Sequence, residues 1–434
     1  MRTHFWHRVA LLLAMAAVSP LLAFGGIALG APLPPDVPAE NWEARTRLSD
    51  TIFAPIRGAA GSGKQIIIQS SGAAKVLFSP QVQSGALYLV FANQNGADYP
   101  LDGAGTFIIK RSLADGTFLQ AKIFVQDGPG SFVRLFPDGE RTFMDVYLFG
   151  EPYQTHVALP VTFNRLLISP LSSIVEWSSA SVNWPMVLAP QQNAGDQRIE
   201  AMVQALKLRL RGLRDMDDGA MDGAGRMVYI ATGVPAGKGG FNCSGFAKWV
   251  VDGLYAPLAG KPMDIAPLKS RNSAQANSWS TRFEEELDPS FGLDWSRGLA
   301  RTIVQAQTGA VPSDSQIDVR NADRLPYVRD VGYPVPKLEY LLYFLARANP
   351  GELYVGSVNA PSALAVSEGT PTLRQHHHVI TLFPYFDGTG VFRVAVMERN
   401  LQTSLASLVR RYGTEYVHLV HIWTEGRFVP PRID

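Results

Sequence analysis

The chain has one cysteine, Cys243, in the run GGFNCSGFAKWVVDGL, where a glycine-rich stretch gives way to an amphipathic pattern carrying Phe246, Val250, Val251 and Leu254. That pattern predicts a helix opening at Cys243 or Ser244. A thiol at a helix start is next to unpaired N–H groups and a partial positive charge, which stabilise the thiolate and pull its pKa below the usual ~8.5. The same N–H groups can hold the oxyanion of a tetrahedral intermediate. The chemistry in view is nucleophilic attack on a carbonyl. The competing reading is a small buried hydrophobe, because free cysteine is among the most buried residue types.

A thiolate nucleophile needs a base and a group to orient that base. HHVITLF, His377 to Phe383, reads as a strand that begins just after His376. Alternation puts His376 and His378 on one face and His377 on the other, and only one face can meet the helix carrying Cys243. Next comes PYFDGTG, whose Asp387 and Gly388 signal a hairpin, and then the strand VFRVAVME, Val391 to Glu398. The hairpin partner therefore offers Glu398 as the orienting group, with Asn400 two residues on as the alternative.

Four short segments carry a family resemblance. FNCSGF, Phe241 to Phe246, resembles the nucleophile motif of the NlpC-type cell-wall peptidases, usually written Asp-Cys-Ser-Gly-Phe. GELYVG (Gly351 to Gly356) is similar to the strand that opens that family's sheet, and HVITL (His378 to Leu382) to its histidine strand. VYIATG (Val228 to Gly233) resembles the tyrosine-bearing segment upstream of the nucleophile, and the four segments follow in the family's order. The resemblance implies a papain-like α+β hydrolase acting on peptidoglycan stem peptides. It implies Cys243 as nucleophile, His378 as general base and later acid, and Tyr229 and Ser244 as oxyanion or substrate contacts. This sequence departs from the pattern in having Asn242 for the usual aspartate, Glu398 for the usual third histidine, and a far longer Cys-to-His interval.

These residues need a frame. From Lys64 to Pro160 short β-branched and aromatic runs alternate with NQNG, DGAG, ADG, QDGPG and PDGE, which predicts an all-β sandwich or barrel over 61–167. The Trp- and Pro-containing stretch 168–195 reads as a connection. Helical periodicity then begins with Ile199, Met202, Val203 and Leu206, with Asp196 as the expected cap. Further helices are expected after Pro336 and over LQTSLASLVRRYG, and VHLVHIW reads as a last strand. Helices followed by antiparallel strands make 196–434 an α+β domain, with an insertion at about 257–335.

The first 30 residues have a charged start, an apolar run and small residues near Ala31, which predict an export signal, followed by a linker over 31–60. Periplasm or cell envelope is the expected location, and an uncleaved membrane tether is the alternative reading. A net charge of +1 with 18% charged residues argues against nucleic acid as a partner. No cofactor is expected: GAAGSGKQ (Gly58 to Gln65) lacks the Ser or Thr of a phosphate-binding loop, and the three histidines lack zinc-ligand partners. Asp215, Asp217, Asp218 and Asp222 read as a solvated turn, and Glu284, Glu285, Glu286 and Asp288 as an exposed helix face. The rival to an enzyme is a surface binding or adhesion protein whose hydrolase-like domain is inactive.

Overall fold

Alternating apolar and polar residues from Gln65 to Leu159 form eight strands: β1 (Gln65–Ile68), β2 (Lys75–Gln83), β3 (Ala86–Asn93), β4 (Phe107–Ser112), β5 (Phe118–Phe124), β6 (Phe132–Asp138), β7 (Arg141–Leu148) and β8 (Glu151–Leu159). The computed structural model describes residues 38–188, 190–270, 288–322, 325–361 and 374–433. The expected signal segment and Glu284 to Glu286 lie outside these residues. Among the described residues, no helix is long and apolar enough to cross a membrane.

All eight strands lie in one antiparallel sheet in chain order. This corrects the expected sandwich, which would need two sheets, and β1 and β8 are not paired to close a barrel. The meander arises because the connections are short turns: Ser84 and Gly85 both have positive φ, as a two-residue hairpin loop demands. One face is apolar, with Phe78, Leu89, Phe107, Val133 and Val146 at or near zero exposure.

That face is covered from both ends of the strand run. Residues expected as a linker instead form α1 (Trp42–Arg47), α2 (Ser49–Phe53) and α3 (Ile56–Ala60), with Ala44, Arg45, Ile52 and Ala59 fully buried. The end of the segment expected to be all-β instead forms α4 (Phe163–Leu167), and the connection supplies α5 (Leu171–Ser178) and α6 (Trp184–Val187). Arg45 joins the two groups: it donates to the carbonyls of Leu167 and Ser169 at 2.6 and 2.9 Å, and its guanidinium lies over the Phe107 ring.

The C-terminal half is built on six strands in the order β11, β16, β12, β13, β14, β15. In sequence they are β11 (Tyr333–Pro334), β12 (Glu352–Pro361), β13 (Arg374–Phe386), β14 (Phe392–Glu398), β15 (Leu401–Thr403) and β16 (Tyr416–Trp423). A separate two-stranded ribbon, β9 (Gly219–Met221) and β10 (Met227–Tyr229), precedes them. One face of the six-stranded sheet buries α7 (Ala194–Leu210), α8 (Cys243–Ala259) and α10 (Phe291–Thr308); the other packs on α12 (Leu338–Ala348) and α13 (Leu405–Tyr412). Two short helices, α9 (Ile265–Leu268) and α11 (Asp314–Ile317), flank α10.

Several boundaries differ from expectation. Asn193, not Asp196, caps α7, with Asp196 returning the bond as the third helical residue of a capping box. Leu401 to Thr403 pair with β14 as a strand, so the last helix opens only after the Ser404 cap. The segment expected as an insertion contains α10, whose Trp295, Leu299 and Ile303 are central to the core. The hairpin at Asp387 is present, but Gly390, not Gly388, takes the left-handed conformation.

The eight-stranded and six-stranded sheets meet across α12. Tyr343 Oη donates to the Met186 carbonyl and accepts from Gln126, while Phe149 packs tilted against Tyr343 and edge-on against Phe392.

Candidate active site

The start of α8 is set by three local contacts. Asn242 is the N-cap, and its Oδ1 accepts the Gly245 N–H at 2.7 Å, so the amide does the capping work of the usual aspartate. Gly245 must be glycine, because a Cβ there would lie 1.9 Å from the Gly219 carbonyl of β9. Trp295 of α10 donates to the Ser244 carbonyl at 2.9 Å. Cys243 is thereby held half-buried at the first helical position, where the N–H groups of Cys243 and Ser244 have no acceptor within the helix.

The histidines come from β13, where pairing with β12 steps from Val358↔His378 to Asn359↔His376. This bulge absorbs His377 and breaks the two-residue alternation. The expected grouping of His376 with His378 on one face is therefore corrected: the three histidines have three different partners. His376 Nδ1 bonds Ser357 Oγ at 2.9 Å, His377 Nε2 bonds Glu415 at 2.7 Å, and His378 Nε2 donates to Glu398 Oε2 at 2.7 Å. His378 is 8% exposed, and with Nε2 committed to Glu398 its Nδ1 is the nitrogen left for the thiol.

Glu398 lies at the end of β14 and is itself held in place. Its Oε1 accepts from Thr403 Oγ1 at 2.6 Å and from the Arg411 guanidinium. Tyr412 closes one side of the His378 ring, with centroids 5.6 Å apart.

Electrostatics couple the three groups. Burial alone would raise the Cys243 thiol, but the His378 imidazole, by hydrogen bonding and by charge, outweighs it with help from the Val379 N–H and the Ser244 hydroxyl, and the thiol ends below its ordinary value. For His378, burial opposes the charged form, yet Cys243 and Glu398 together push it up to about 9. Glu398 is held down at about 2: bonds from His378, Arg411 and Thr403 overcome its burial. Both shifts favour the thiolate–imidazolium form of the pair, with the Glu398 carboxylate behind the imidazolium.

The sulfur lines a cavity of about 590 Å³ whose walls include Asp217, Asp218, Phe291, Gln375, His377 and Arg399. Two of the expected residues stand apart from this constellation. Tyr229 on β10 is 41% exposed and is not one of the cavity residues, and Asn400 donates to the Leu213 carbonyl at 3.3 Å, not to the histidine. Ser244 is next to the sulfur, its Oγ at 3.9 Å.

The aspartates read as a solvated turn divide by role. Asp222 ties down its own turn through Arg226, Asp215 pairs with Arg399 at 2.7 Å, and Asp217 and Asp218 line the cavity. Asp288, expected on an exposed face, is 3% exposed and accepts the Ser290 N–H. Thr403, Arg411 and Tyr412 went unnoticed in the sequence. All three follow Glu398 closely in the chain, but no local pattern marks them as its neighbours. Among the described residues, no group of three or more His, Cys, Asp or Glu side chains is placed to hold a metal.

Residues 36–186 match a family model described as a domain of unknown function, DUF8515. The match covers the helices α1 to α5, the whole eight-stranded sheet and most of α6, and it stops before α7. No curated protein and no solved structure matches the chain.

Proposed function

We propose that the C-terminal half is a papain-like cysteine hydrolase that cleaves amide bonds, with the stem peptides of peptidoglycan in the cell envelope as its substrate. The observation that carries the reading is the line Cys243–His378–Glu398, opening onto a cavity with the thiol lowered and the imidazole raised. Opposite shifts on a thiol and an imidazole beside a cavity are the pattern expected of a nucleophile and its base. The substrate class rests on the resemblance of FNCSGF, GELYVG and HVITL to the NlpC-type peptidases.

The Cys243 thiolate attacks the carbonyl carbon, and the oxyanion that forms is held by the N–H groups at the start of α8. His378 passes its proton from Nδ1 to the leaving nitrogen, the C–N bond breaks, and the amine departs from an acyl-thioester. The now neutral His378 takes a proton from water as the oxygen attacks the thioester, and the C–S bond breaks to restore the thiolate–imidazolium pair and release the carboxylic acid, which loses its proton to solvent. Glu398 keeps the ring oriented and stabilises its positive charge throughout.

Cys243→Ala is expected to remove cleavage of purified sacculi, followed by mass spectrometry of the released muropeptides, while the fold stays intact. Full activity in that variant would exclude Cys243 as nucleophile. Iodoacetamide gives a substrate-independent check: the wild-type thiol should alkylate well below pH 8, which an inert buried thiol would not do.

A further inference from the structure

Alternation in the eight-stranded sheet turns a second set of residues away from the helix-covered core. In β6, Val133 and Leu135 face the core, while Phe132, Arg134 and Phe136 face outward. Antiparallel sheets with one solvated face normally carry polar residues there. Here the outward face carries rings. Phe132 stacks on Tyr147 at 4.9 Å, Phe136 on Phe143 at 6.1 Å, and Phe143 on His156 at 4.2 Å, each with planes within 24° of parallel.

Cations are interleaved with these rings. The Lys122 ammonium sits 3.9 Å from the Phe132 centroid, Arg134 lies 5.0 Å from Phe136, and Lys110 is 5.6 Å from Tyr88. Asp145 shares the face but is already committed to Arg134 and to the His156 N–H. Neither Lys110 nor Lys122 has a carboxylate partner among the described residues. Burial and the neighbouring Arg134 charge hold the Lys122 ammonium below its ordinary value, as expected of a cation crowded by like charge and short of a counter-ion.

We infer that this face docks an acidic polysaccharide. Sugar rings offer flat C–H surfaces that can lie over these half-buried rings, and their carboxylates complement the two lysines that lack an acid partner. A neutral glycan would leave the lysines unmatched, and a compact polyanion would leave the rings unused. The site is independent of the thiol chemistry, since none of its residues lines the Cys243 cavity.

The test is calorimetric titration of the full chain with polygalacturonate, neutral dextran and single-stranded DNA. Polygalacturonate should bind and weaken as salt is added, dextran should bind far more weakly, and DNA should not match polygalacturonate. The double variant Lys110→Glu with Lys122→Glu keeps every ring and should weaken polygalacturonate about tenfold. Phe143→Ala should weaken it about three- to tenfold without changing the salt slope. Absence of binding, equal binding of DNA, or indifference to both variants would each overturn the proposal, and the charge-reversed double variant keeps the test decisive if Phe143→Ala fails to fold.

Discussion

Two buried histidines, His378 on β13 and His418 on β16, occupy the same six-stranded sheet and are treated in opposite ways. His378 is driven up to about 9, whereas His418 is held below its ordinary value, burial outweighing the pull of Asp318. Both have a carboxylate nearby, Glu398 at 2.7 Å and Asp318 at 3.5 Å. One difference is the Cys243 thiol, which raises His378 and has no counterpart at His418; the other is what else claims the acid. Asp318 is gripped through both oxygens by the fully buried Arg297, at 3.0 and 2.8 Å, and again by Arg320 at 2.8 Å. Glu398 gives only Oε1 to Arg411, which is 41% exposed, and keeps Oε2 for the histidine. With both oxygens of its acid held by arginine and no thiol beside it, His418 belongs to a structural clasp, here joining α10 to the strand that carries it.

The clasp can be broken by Asp318→Ala. Arg297 would keep only Asp330 as a close partner, and removing one member of a buried pair costs about 3–5 kcal/mol. Urea unfolding followed by circular dichroism should report a loss of that size, with the midpoint falling and the slope unchanged. A loss below about 1 kcal/mol would mean that Arg297 is already wet, as surface pairs are, and the contrast with the thiol site would fail.

How much of this was readable beforehand depended on range. The helix at Cys243, the strand at His378 and the acid at Glu398 were legible because each is written in local periodicity or in a hairpin signal. The meander was legible as strands and turns but not as one sheet, since pairing order depends on contacts between distant residues. Residues 42–60 looked like a linker because α1 to α3 are too short to show a repeating apolar face, and contacts that hold them, such as Arg45 to carbonyls more than a hundred residues away, are not written locally. The bulge at His377 was invisible for a related reason: it exists only in the pairing with β12. Arg411 and Thr403 are close to Glu398 in sequence, yet nothing local marks them as its donors. His418 reads much like His378 in sequence, and Arg297 and Cys243, each from a different helix, separate their fates.

The remaining two variants separate charge from positioning at Glu398. Glu398→Gln keeps the shape and removes the charge, and turnover should fall on the order of 100-fold, short of the loss at the nucleophile itself. Its clearer mark is in pH. Wild-type activity should need protonated His378 and ionised Cys243, so the basic limb belongs near the histidine's value of about 9. Without the carboxylate charge that limb should move to lower pH. Stability follows the same sign: a histidine raised above its unfolded value of ~6.5 stabilises the fold fully below that pH and loses the contribution as pH rises through 9. Thermal unfolding should therefore show wild type losing its advantage over the glutamine variant across that window. Arg411→Ala is the smallest perturbation. Its guanidinium touches Glu398 and not the ring, and its partial exposure screens the charge, so turnover should fall only a few-fold, about 1 kcal/mol or less. The basic limb should not move down, because the carboxylate stays ionised with Thr403 and His378 still donating to it. If Arg411→Ala lowered that limb as far as Glu398→Gln does, the arginine would be setting the histidine's protonation, and the distinction between an acid owned by a histidine and one owned by an arginine would not hold at this site.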